Sequence, residues 1–352
     1  MTSALRAMDD DIVRDPSRMD WAELDMLAAR IDARFAGRFT VHSFDYVHAK
    51  RLQRTGPMRL RKDYVVRASY TRWGRPDRPL ILCMGGIANT ARRFDYLAEA
   101  LCADFSIVCS DWVGRGLSGW LATQDDYRLE TMVSQMEQLI GQLGVSKVTL
   151  VGSSLGGSVA IELAARFPRL VERIVLNDVG PFIPARRRRR RAESVARHYV
   201  FRSPADLFRR LGAAQKHDGS VGDEVLLHNS YHQTRWSDEE GGRIYRHDPR
   251  AMQAYREDAR TSLDQWHRWW QVRCPVLVMH GMESDVLSPA ILDRMTKGHE
   301  IAIVDVPDTG HTPTLSEPDQ IAAIAAWLDG RLPSGTRQVC ASSGRVVRRL
   351  FV

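Results

Sequence analysis

The chain has 352 residues, a hydrophobic fraction of 44% and a formal net charge of +7. This length suits one large domain with an insertion, or two domains, and the composition permits a sizeable core. No apolar run approaches the roughly 20 residues of a membrane-spanning helix, and the N-terminus lacks the basic and apolar segments of a secretory signal. We therefore expect a cytoplasmic protein with no membrane partner.

The pattern of the cysteines and of the positive charge argues against disulfides, a zinc site and nucleic-acid binding. The five cysteines are odd in number and scattered, mostly within apolar runs, which is typical of reduced, packed thiols rather than disulfides or zinc ligands. The excess charge is concentrated in the arginine run 186–191 and near the C-terminus, without the aromatic residues of a nucleic-acid module. We predict no metal, no organic cofactor and no nucleic-acid partner.

Residues 1–60 are predicted to form an accessory extension. Apolar residues recur there at helical spacing after Asp20, and Gly37 follows the last of them, which predicts one amphipathic helix. The residues of this apolar face are Trp21, Leu24, Leu27, Ile31 and Phe35.

Residues 61–180 alternate between short apolar strands and helices. The predicted strands are 64–70, 79–84, 105–109, 147–151 and 173–176. Continuous apolar runs of this length are typical of strands buried on both faces, with crossover helices between them. The clearest helix runs from Leu129 to Leu143 and ends at Gly144. The pattern predicts an α/β fold with a doubly wound, mostly parallel sheet.

The strand pattern stops after residue 180 and resumes at residue 274. The stretch 181–273 is polar, rich in arginine and compatible with helices, so we predict an inserted helical cap. Strands 274–279 and 301–306 and a final helix complete the second part of the core, 274–331. Residues 332–352 are predicted to be a basic C-terminal tail.

A serine flanked by glycines stands between a predicted strand and a predicted helix. The segment GSSLGG covers residues 152–157, directly after the strand that ends at Val151. A sharp turn at this place strains the serine backbone, and glycines two positions away on either side avoid clashes. The helix directs its N-terminal amides to the same place, where they would stabilise an oxyanion. We predict Ser154 as the catalytic nucleophile.

A serine hydroxyl is a weak nucleophile at neutral pH, so it needs a neighbouring base. His311 follows Gly310 in the loop after the last predicted strand, at the same carboxyl edge of the sheet as Ser154. We therefore predict His311 as the base, with an acid on its other ring nitrogen.

Three carboxylates are candidates for that acid. We predict Asp285, which follows the strand 274–279 through a short loop. Glu283 in the same loop is the close competitor. Asp178, after an earlier strand, is a third candidate because the loops of both strands emerge at one edge.

The oxyanion hole requires two backbone amides. The first is predicted to come from Leu155, the residue after the nucleophile. The second should come from the loop after strand 79–84, for which we predict Ile87, with Gly86 as the alternative register because paired glycines let an amide face the site.

The insertion is expected to select the substrate. The predicted substrate-binding residues are Gly86, Ser153, Trp266 and Trp270. Tyr231, Trp236 and Trp269 of the insertion are further candidates for an apolar pocket, although aromatics at helical spacing, including Trp266 and Trp270, more often serve packing. The arginine run 186–191 is a candidate for attracting an acidic substrate.

These motifs together resemble the α/β-hydrolase superfamily of lidded enzymes. Residues 111–118, DWVGRGLS, match its D-x-x-G-x-G-x-S loop, and residues 176–181, LNDVGP, match the segment that enters the lid. The order serine, aspartate, histidine also agrees. One departure is that the family usually has His-Gly where this chain has Gly85-Gly86. The resemblance argues against haloalkane dehalogenase and epoxide hydrolase activity, because those enzymes carry aspartate at the position of Ser154.

We predict a carboxylesterase-like serine hydrolase that cleaves an ester, lactone or thioester of a small organic substrate through an acyl-enzyme. Carbon–carbon bond hydrolysis or acyl transfer by the same residues is the alternative. A non-catalytic ligand-binding receptor on the same fold, or an interaction protein dominated by its basic runs, is the alternative from another class.

Overall fold

A computed structural model describes residues 19–49, 63–215, 219, 221–332, 336–339 and 346–347. The first 18 residues of the predicted extension, its residues 50–60 and most of the predicted tail lie outside this part of the chain.

The strands, in chain order, are β1 (Phe39–His48), β2 (Tyr64–Trp73), β3 (Leu80–Met84), β4 (Ser106–Ser110), β5 (Val148–Ser153), β6 (Val171–Asn177), β7 (Phe182–Ile183), β8 (Val200–Phe201), β9 (Thr234–Ser237), β10 (Gly242–Tyr245), β11 (Leu263–Asp264), β12 (Val276–Gly281), β13 (Ile301–Val306), β14 (Arg337–Val339) and β15 (Val346–Val347).

The α-helices lie between these strands. They are α1 (Trp21–Phe35), α2 (Asp95–Leu101), α3 (Leu129–Leu143), α4 (Leu155–Arg166), α5 (Ala185–Val195), α6 (Pro204–Gln215), α7 (Asp223–Gln233), α8 (Pro249–Asp258), α9 (Trp266–Trp269), α10 (Pro289–Met295) and α11 (Pro318–Leu328). Helix α3 ends where the sequence predicts, because Gly144 takes a left-handed conformation with φ of 66°.

Ten strands form one sheet in the order β1-β2-β4-β3-β5-β6-β12-β13-β14-β15. The central strands β4, β3, β5, β6, β12 and β13 are parallel, and the outer strands are antiparallel. Every residue of β3, β4 and β5 is buried, as expected for strands covered on both faces. The predicted fold class, a doubly wound and mostly parallel sheet, is confirmed.

Two apolar cores cover the two faces of this sheet. One joins the sheet to α3, α4 and part of the insertion, and the other joins it to α1, α2, α11 and helices α6 and α7 of the insertion. Layers on both faces bury the central strands β3, β4 and β5 completely. The carboxyl ends of the parallel strands remain accessible at one edge, where the loops gather.

The N-terminal segment is more than an accessory extension. The predicted helix is α1, but β1 then pairs with β2 in an antiparallel register from Phe39 opposite Trp73 to His48 opposite Tyr64. The accessory assignment is therefore wrong for β1, which is an integral outer strand of the sheet. Burial alternates along the second half of β1, from Phe44 to His48, but the first half is mostly exposed, so the strand does not show over its full length as an alternating pattern.

The C-terminal segment also joins the sheet. Strand β14 pairs with β13, and β15 pairs with β14. The assignment of residues 332–352 as a basic C-terminal tail is therefore wrong for these two short strands, which belong to the sheet.

The insertion between β6 and β12 is mainly helical, as predicted, and contains α5 to α9. It also holds short strands in two small sheets, β8-β10-β9 and β11-β7. These strands have two to four residues each, too short for an alternating pattern to be visible in sequence.

Candidate active site

Ser154 stands at the sharp turn between β5 and α4. Its backbone has φ of 50° and ψ of −110°, a strained conformation for a residue with a side chain. A Cβ atom on Gly152 would lie 2.4 Å from the carbonyl oxygen of Gly156, and one on Gly156 would lie 2.0 Å from the carbonyl oxygen of Met84. Both glycines are therefore required for the turn to close against β3.

His311 lies in the loop after β13 and reaches Ser154. Its Nε2 atom is 3.0 Å from the Ser154 Oγ, and its Nδ1 atom is 3.0 Å from Oδ2 of Asp178. A carboxylate can only accept, so Nδ1 carries the proton and Nε2 is free to accept from the serine hydroxyl. The structure thus brings the predicted nucleophile and the predicted base into contact.

Asp178 follows β6 directly and is fully buried. Its Oδ1 accepts from the Gly281 amide at 3.0 Å, and its Oδ2 accepts from the Ser284 hydroxyl at 2.5 Å as well as from His311. A buried carboxylate is stable only when hydrogen bonds of this kind satisfy its oxygens. The loop after β12 therefore holds the carboxylate in place.

The prediction that Asp285 orients His311 is wrong, and so is the alternative Glu283. Among the described residues, the carboxylate on His311 Nδ1 is that of Asp178. Strand β12 ends at Gly281, and the loop beyond it carries the Asp285 side chain outward, where it is 43% exposed and pairs with Arg187. The strand β6 lies beside β5 in the sheet, so a residue that directly follows β6 needs no long loop to approach the histidine.

The loop after β3 approaches the nucleophile from the other side. The Gly86 amide donates to Oδ1 of Asn89 at 2.9 Å, and a Cβ atom on Gly86 would lie 3.7 Å from the Ser154 Cβ. Because the Gly86 amide is engaged, the geometry favours Ile87 over Gly86 as the second oxyanion donor. Leu155 is the first residue of α4, as the predicted first donor requires.

Arg115 supports this loop from the protein interior. The side chain is 2% exposed; its Nε donates to the Ile87 carbonyl at 3.0 Å, and its NH1 donates to the Val113 carbonyl at 2.9 Å. Burial lowers the pKa of Arg115 to about 10. Sequence reasoning placed this residue within a family motif but assigned it no role.

Asp111 and Gly116 of the same motif, residues 111–118, have structural roles. Asp111 accepts from the Ala91 amide at 2.7 Å and from the Leu117 amide at 2.9 Å. A Cβ atom on Gly116 would lie 2.1 Å from the Asp111 carboxylate, so this position requires glycine. Burial raises the pKa of Asp111 to about 6. The motif is therefore a structural clamp beside the site.

Two cavities meet at Ser154. The outer cleft has a volume of about 430 Å³ and also contains Gly86 and His311. The inner pocket has a volume of about 80 Å³ and extends beneath the insertion. Its walls are largely apolar and include Ile87, Leu129, Met132, Leu155, Ile183, Ala251, Tyr255 and Leu263.

Three of the four predicted substrate-binding residues lie elsewhere. Gly86 lines the outer cleft, but Ser153 is fully buried and accepts a hydrogen bond from the Asn177 amide group at 2.9 Å. Ser153 ends a central strand, so its side chain points into the core. Trp266 and Trp270 line neither cavity, because they stack on each other with ring centroids 5.5 Å apart. These tryptophans pack the insertion against the core instead.

One cluster in the described part of the chain has the composition of a metal site. Ligand atoms of Asp32, His228 and His232 lie within 4.8 Å of one another. However, Arg92 donates to Asp32 at 2.8 Å and also contacts Asp95. Since the guanidinium already supplies the positive charge, we interpret the cluster as an ion-pair network that joins α1 to α7.

The titration of this network agrees with that interpretation. Burial lowers the pKa of His232 to about 4, so the histidine is neutral at neutral pH. Burial alone would raise the pKa of Asp32, but His232 and Arg92 together hold it at about 2.

Comparison with known proteins identifies the class. The model of the alpha/beta hydrolase family matches residues 80–324. The chain belongs to this family, and the family supports its assignment as a hydrolase. In the described part of the chain, no helix has both the length and the apolar character needed to cross a membrane.

One relative by sequence and two solved structures are similar to this chain over most of their own length. The chain is 31% identical over 292 residues to the 3-hydroxybutyrate-oligomer hydrolase of Cupriavidus necator, an alignment that covers 75% of this chain and 93% of that protein. An alpha/beta hydrolase from Novosphingobium aromaticivorans superposes with a TM-score of 0.66 at 28% identity, covering 75% of this chain and 94% of the other. The E-2-(acetamidomethylene)succinate hydrolase shares the fold, with a TM-score of 0.65 at 23% identity over 75% of this chain and 96% of that one.

Proposed function

We propose that this protein is a serine hydrolase that cleaves a carboxylic ester of a small organic substrate, with Ser154, His311 and Asp178 as its catalytic residues. The observation that carries the proposal is the chain of two 3.0 Å contacts from the Ser154 Oγ through the His311 imidazole to the Asp178 carboxylate. This arrangement allows a neutral histidine to remove the serine proton while the buried carboxylate stabilises the imidazolium that results.

The reaction proceeds in two halves. The Ser154 Oγ attacks the ester carbonyl carbon as His311 takes its proton, and the amides of Leu155 and Ile87 stabilise the oxyanion. The bond to the alcohol then breaks, and His311 donates the proton to the departing oxygen. A water molecule next attacks the acyl-enzyme, with His311 again as the base, and the acid product leaves.

The relative from Cupriavidus necator supports an oxygen ester as the substrate, because its name states that it hydrolyses oligomers of 3-hydroxybutyrate. Such an oligomer is a linear chain of ester bonds. The outer cleft of about 430 Å³ leaves room for a chain that extends beyond the bond being cleaved. We further propose that the reaction needs no cofactor and that no nucleic acid takes part.

Replacement of the nucleophile tests the proposal. With a short 4-nitrophenyl ester, Ser154→Ala should lower kcat at least about 10³-fold, because no other group can form the acyl-enzyme. A fluorophosphonate probe should label the wild type once and leave Ser154→Ala unlabelled.

Ser158→Ala is the matched control, since Ser158 contributes to the wall of the inner pocket that Ser154 also lines. This variant should keep the label. If Ser154→Ala retained most of its esterase activity, the proposed nucleophile would be wrong. An unreactive serine in folded wild-type protein would instead favour a ligand-binding receptor.

A further inference from the structure

The outer cleft has an unusually basic wall. Five arginines and two carboxylates contribute to it: Arg187, Arg188, Arg190, Arg191 and Arg210, with Glu283 and Asp285. Helix α5 supplies four of these arginines. Residues 187, 190, 191 and 194 of this helix all line the cleft, at the spacing of one helix face. The arginine run thus presents one side to the site rather than only to solvent.

Most of these arginines already have partners within the protein. Arg188 is 5% exposed and contacts the Asp258 carboxylate, and Arg187 contacts Asp285. Arg210 donates to Asp206 and lies 3.5 Å from the centroid of the Tyr199 ring. These contacts occupy the guanidinium groups and fix them to the protein.

Arg191 differs from the other arginines that line the cleft, since Arg190 also approaches Asp285, at 3.8 Å. Arg191 is exposed, and among the described residues no hydrogen bond or ion pair holds its guanidinium. It also contributes to both the outer cleft and the inner pocket, as Ser154 does. An unpaired guanidinium on a wall shared with the nucleophile is available to a ligand.

The inner pocket also favours a negatively charged ligand. Arg115, Arg128, Arg188 and Arg191 contribute to its wall, together with the carboxylate of Asp258. The hydrogen bonds of Arg115 go to backbone carbonyls, which carry no full charge. Placing a guanidinium in the interior without a carboxylate on it is costly, and an anion bound nearby would offset that cost. An anionic substrate would therefore meet a favourable potential on entering from the cleft.

We propose that Arg191 binds a free carboxylate of the substrate and so makes the enzyme selective for esters that carry a carboxylate at one end. A guanidinium binds a carboxylate through two parallel hydrogen bonds, which orients a flexible chain as well as attracting it. This inference rests on the proposed ester hydrolysis at Ser154 and names the substrate class. Linear esters of hydroxy acids or dicarboxylic acids belong to that class.

A matched pair of substrates tests the inference. The first is the mono-4-nitrophenyl ester of adipic acid, and the second has a primary amide in place of the free carboxylate, which changes the charge but hardly the shape. Wild type should show a higher kcat/KM for the acid. Arg191→Gln should lower kcat/KM for the acid about 10-fold to 100-fold and change that for the amide less than about 3-fold.

Arg189→Gln is the control variant. Arg189 is an exposed residue of the same helix that does not contribute to the cleft, and its replacement removes the same charge. If direct binding is responsible, this variant should keep the wild-type preference for the acid. Added salt should reduce the preference of the wild type, because the arginine is exposed.

Several outcomes would overturn the inference. Equal kcat/KM for acid and amide in the wild type would do so, as would an equal loss of the preference in Arg191→Gln and Arg189→Gln, since that result indicates a general effect of net charge. In both cases Ser154-dependent turnover would continue. If instead neither ester were cleaved in a manner dependent on Ser154, the proposed function itself would fail, and the inference would fall with it.

Discussion

The core sheet and the inserted cap hold functional side chains in different ways. In the core, Ser154, Asp178 and His311 each follow a buried parallel strand, and hydrogen bonds fix all three. In the cap, α5 presents arginines from a helix whose outer face is exposed. Under the proposed function, the sheet would supply rigid geometry for the chemistry, and the cap would supply charge and shape for choosing a substrate.

The two aspartates show the same difference on a smaller scale. Asp178 is fully buried, with oxygens satisfied by Gly281, Ser284 and His311. Asp285 is 43% exposed and binds Arg187 of the cap. One carboxylate therefore contacts His311, which we propose as the base, and the other links the cap helix to the core at the mouth of the cleft.

Asp178→Asn should give the largest effect after removal of the nucleophile itself. An amide at this position favours the wrong tautomer of His311, so kcat should fall about 10³-fold to 10⁴-fold while KM changes little. Steady-state kinetics with a 4-nitrophenyl ester provide the measurement. An activity within tenfold of the wild type would contradict the assignment of Asp178.

Gly156→Ala should be the next most damaging change. The new Cβ would lie 2.0 Å from the Met84 carbonyl oxygen, which belongs to a central strand and cannot move away cheaply. We expect the free energy of unfolding to fall by about 2 kcal/mol or more, because backbone must shift to admit the methyl group. Urea denaturation measures this change.

Gly141→Ala is a matched control for that substitution. Gly141 lies within α3, where a Cβ would meet nothing within 4 Å. Alanine at this position should raise the free energy of unfolding by about 0.5 to 1 kcal/mol, because glycine is a poor helix former. Equal destabilisation by both substitutions would show that steric closure at the elbow is not the cause.

The His232 network should make stability depend on pH. Burial lowers the pKa of His232 to about 4 in the folded protein from its ordinary value of 6.5, so the unfolded chain binds more protons between these values. Stability should therefore decrease as the pH falls from about 6.5 towards 4, by about 2 kcal/mol between pH 7 and pH 5 for this group.

His232→Gln provides the comparison, since glutamine does not titrate. Urea unfolding at pH 7 and pH 5 should show a smaller loss of stability in this variant than in the wild type. An identical loss in the two proteins would mean that His232 does not stay neutral through burial.

Asp285→Asn should have the smallest effect. The change weakens an exposed contact with Arg187, and exposed ion pairs contribute about 0 to 1 kcal/mol. We expect kcat for a neutral ester to remain within about 3-fold of the wild type. A loss as large as that of Asp178→Asn would reverse the roles of the two aspartates.

Much of the core could be predicted from sequence because its signals are local. Buried strands show as continuous apolar runs, and the turn at Ser154 needs glycines whose spacing is visible in the chain. The contact between Ser154 and His311 also follows, since both come after parallel strands whose carboxyl ends share one edge. Helix α1 and the cap show helical patterns for the same local reason.

The remaining features depended on which segments become neighbours. Asp178 and Asp285 both follow strands, but Asp178 directly follows β6, which lies beside β5, and hydrogen bonds from Gly281 and Ser284 hold its carboxylate against the histidine. Strand β1 becomes part of the sheet through its pairing with β2, which its own pattern does not reveal. Residue type and spacing thus predicted Ser154, His311 and the fold class. Only the tertiary structure decided which carboxylate contacts His311 and which cleft arginine has no ion pair in the described part of the chain, because both depend on partners distant in sequence.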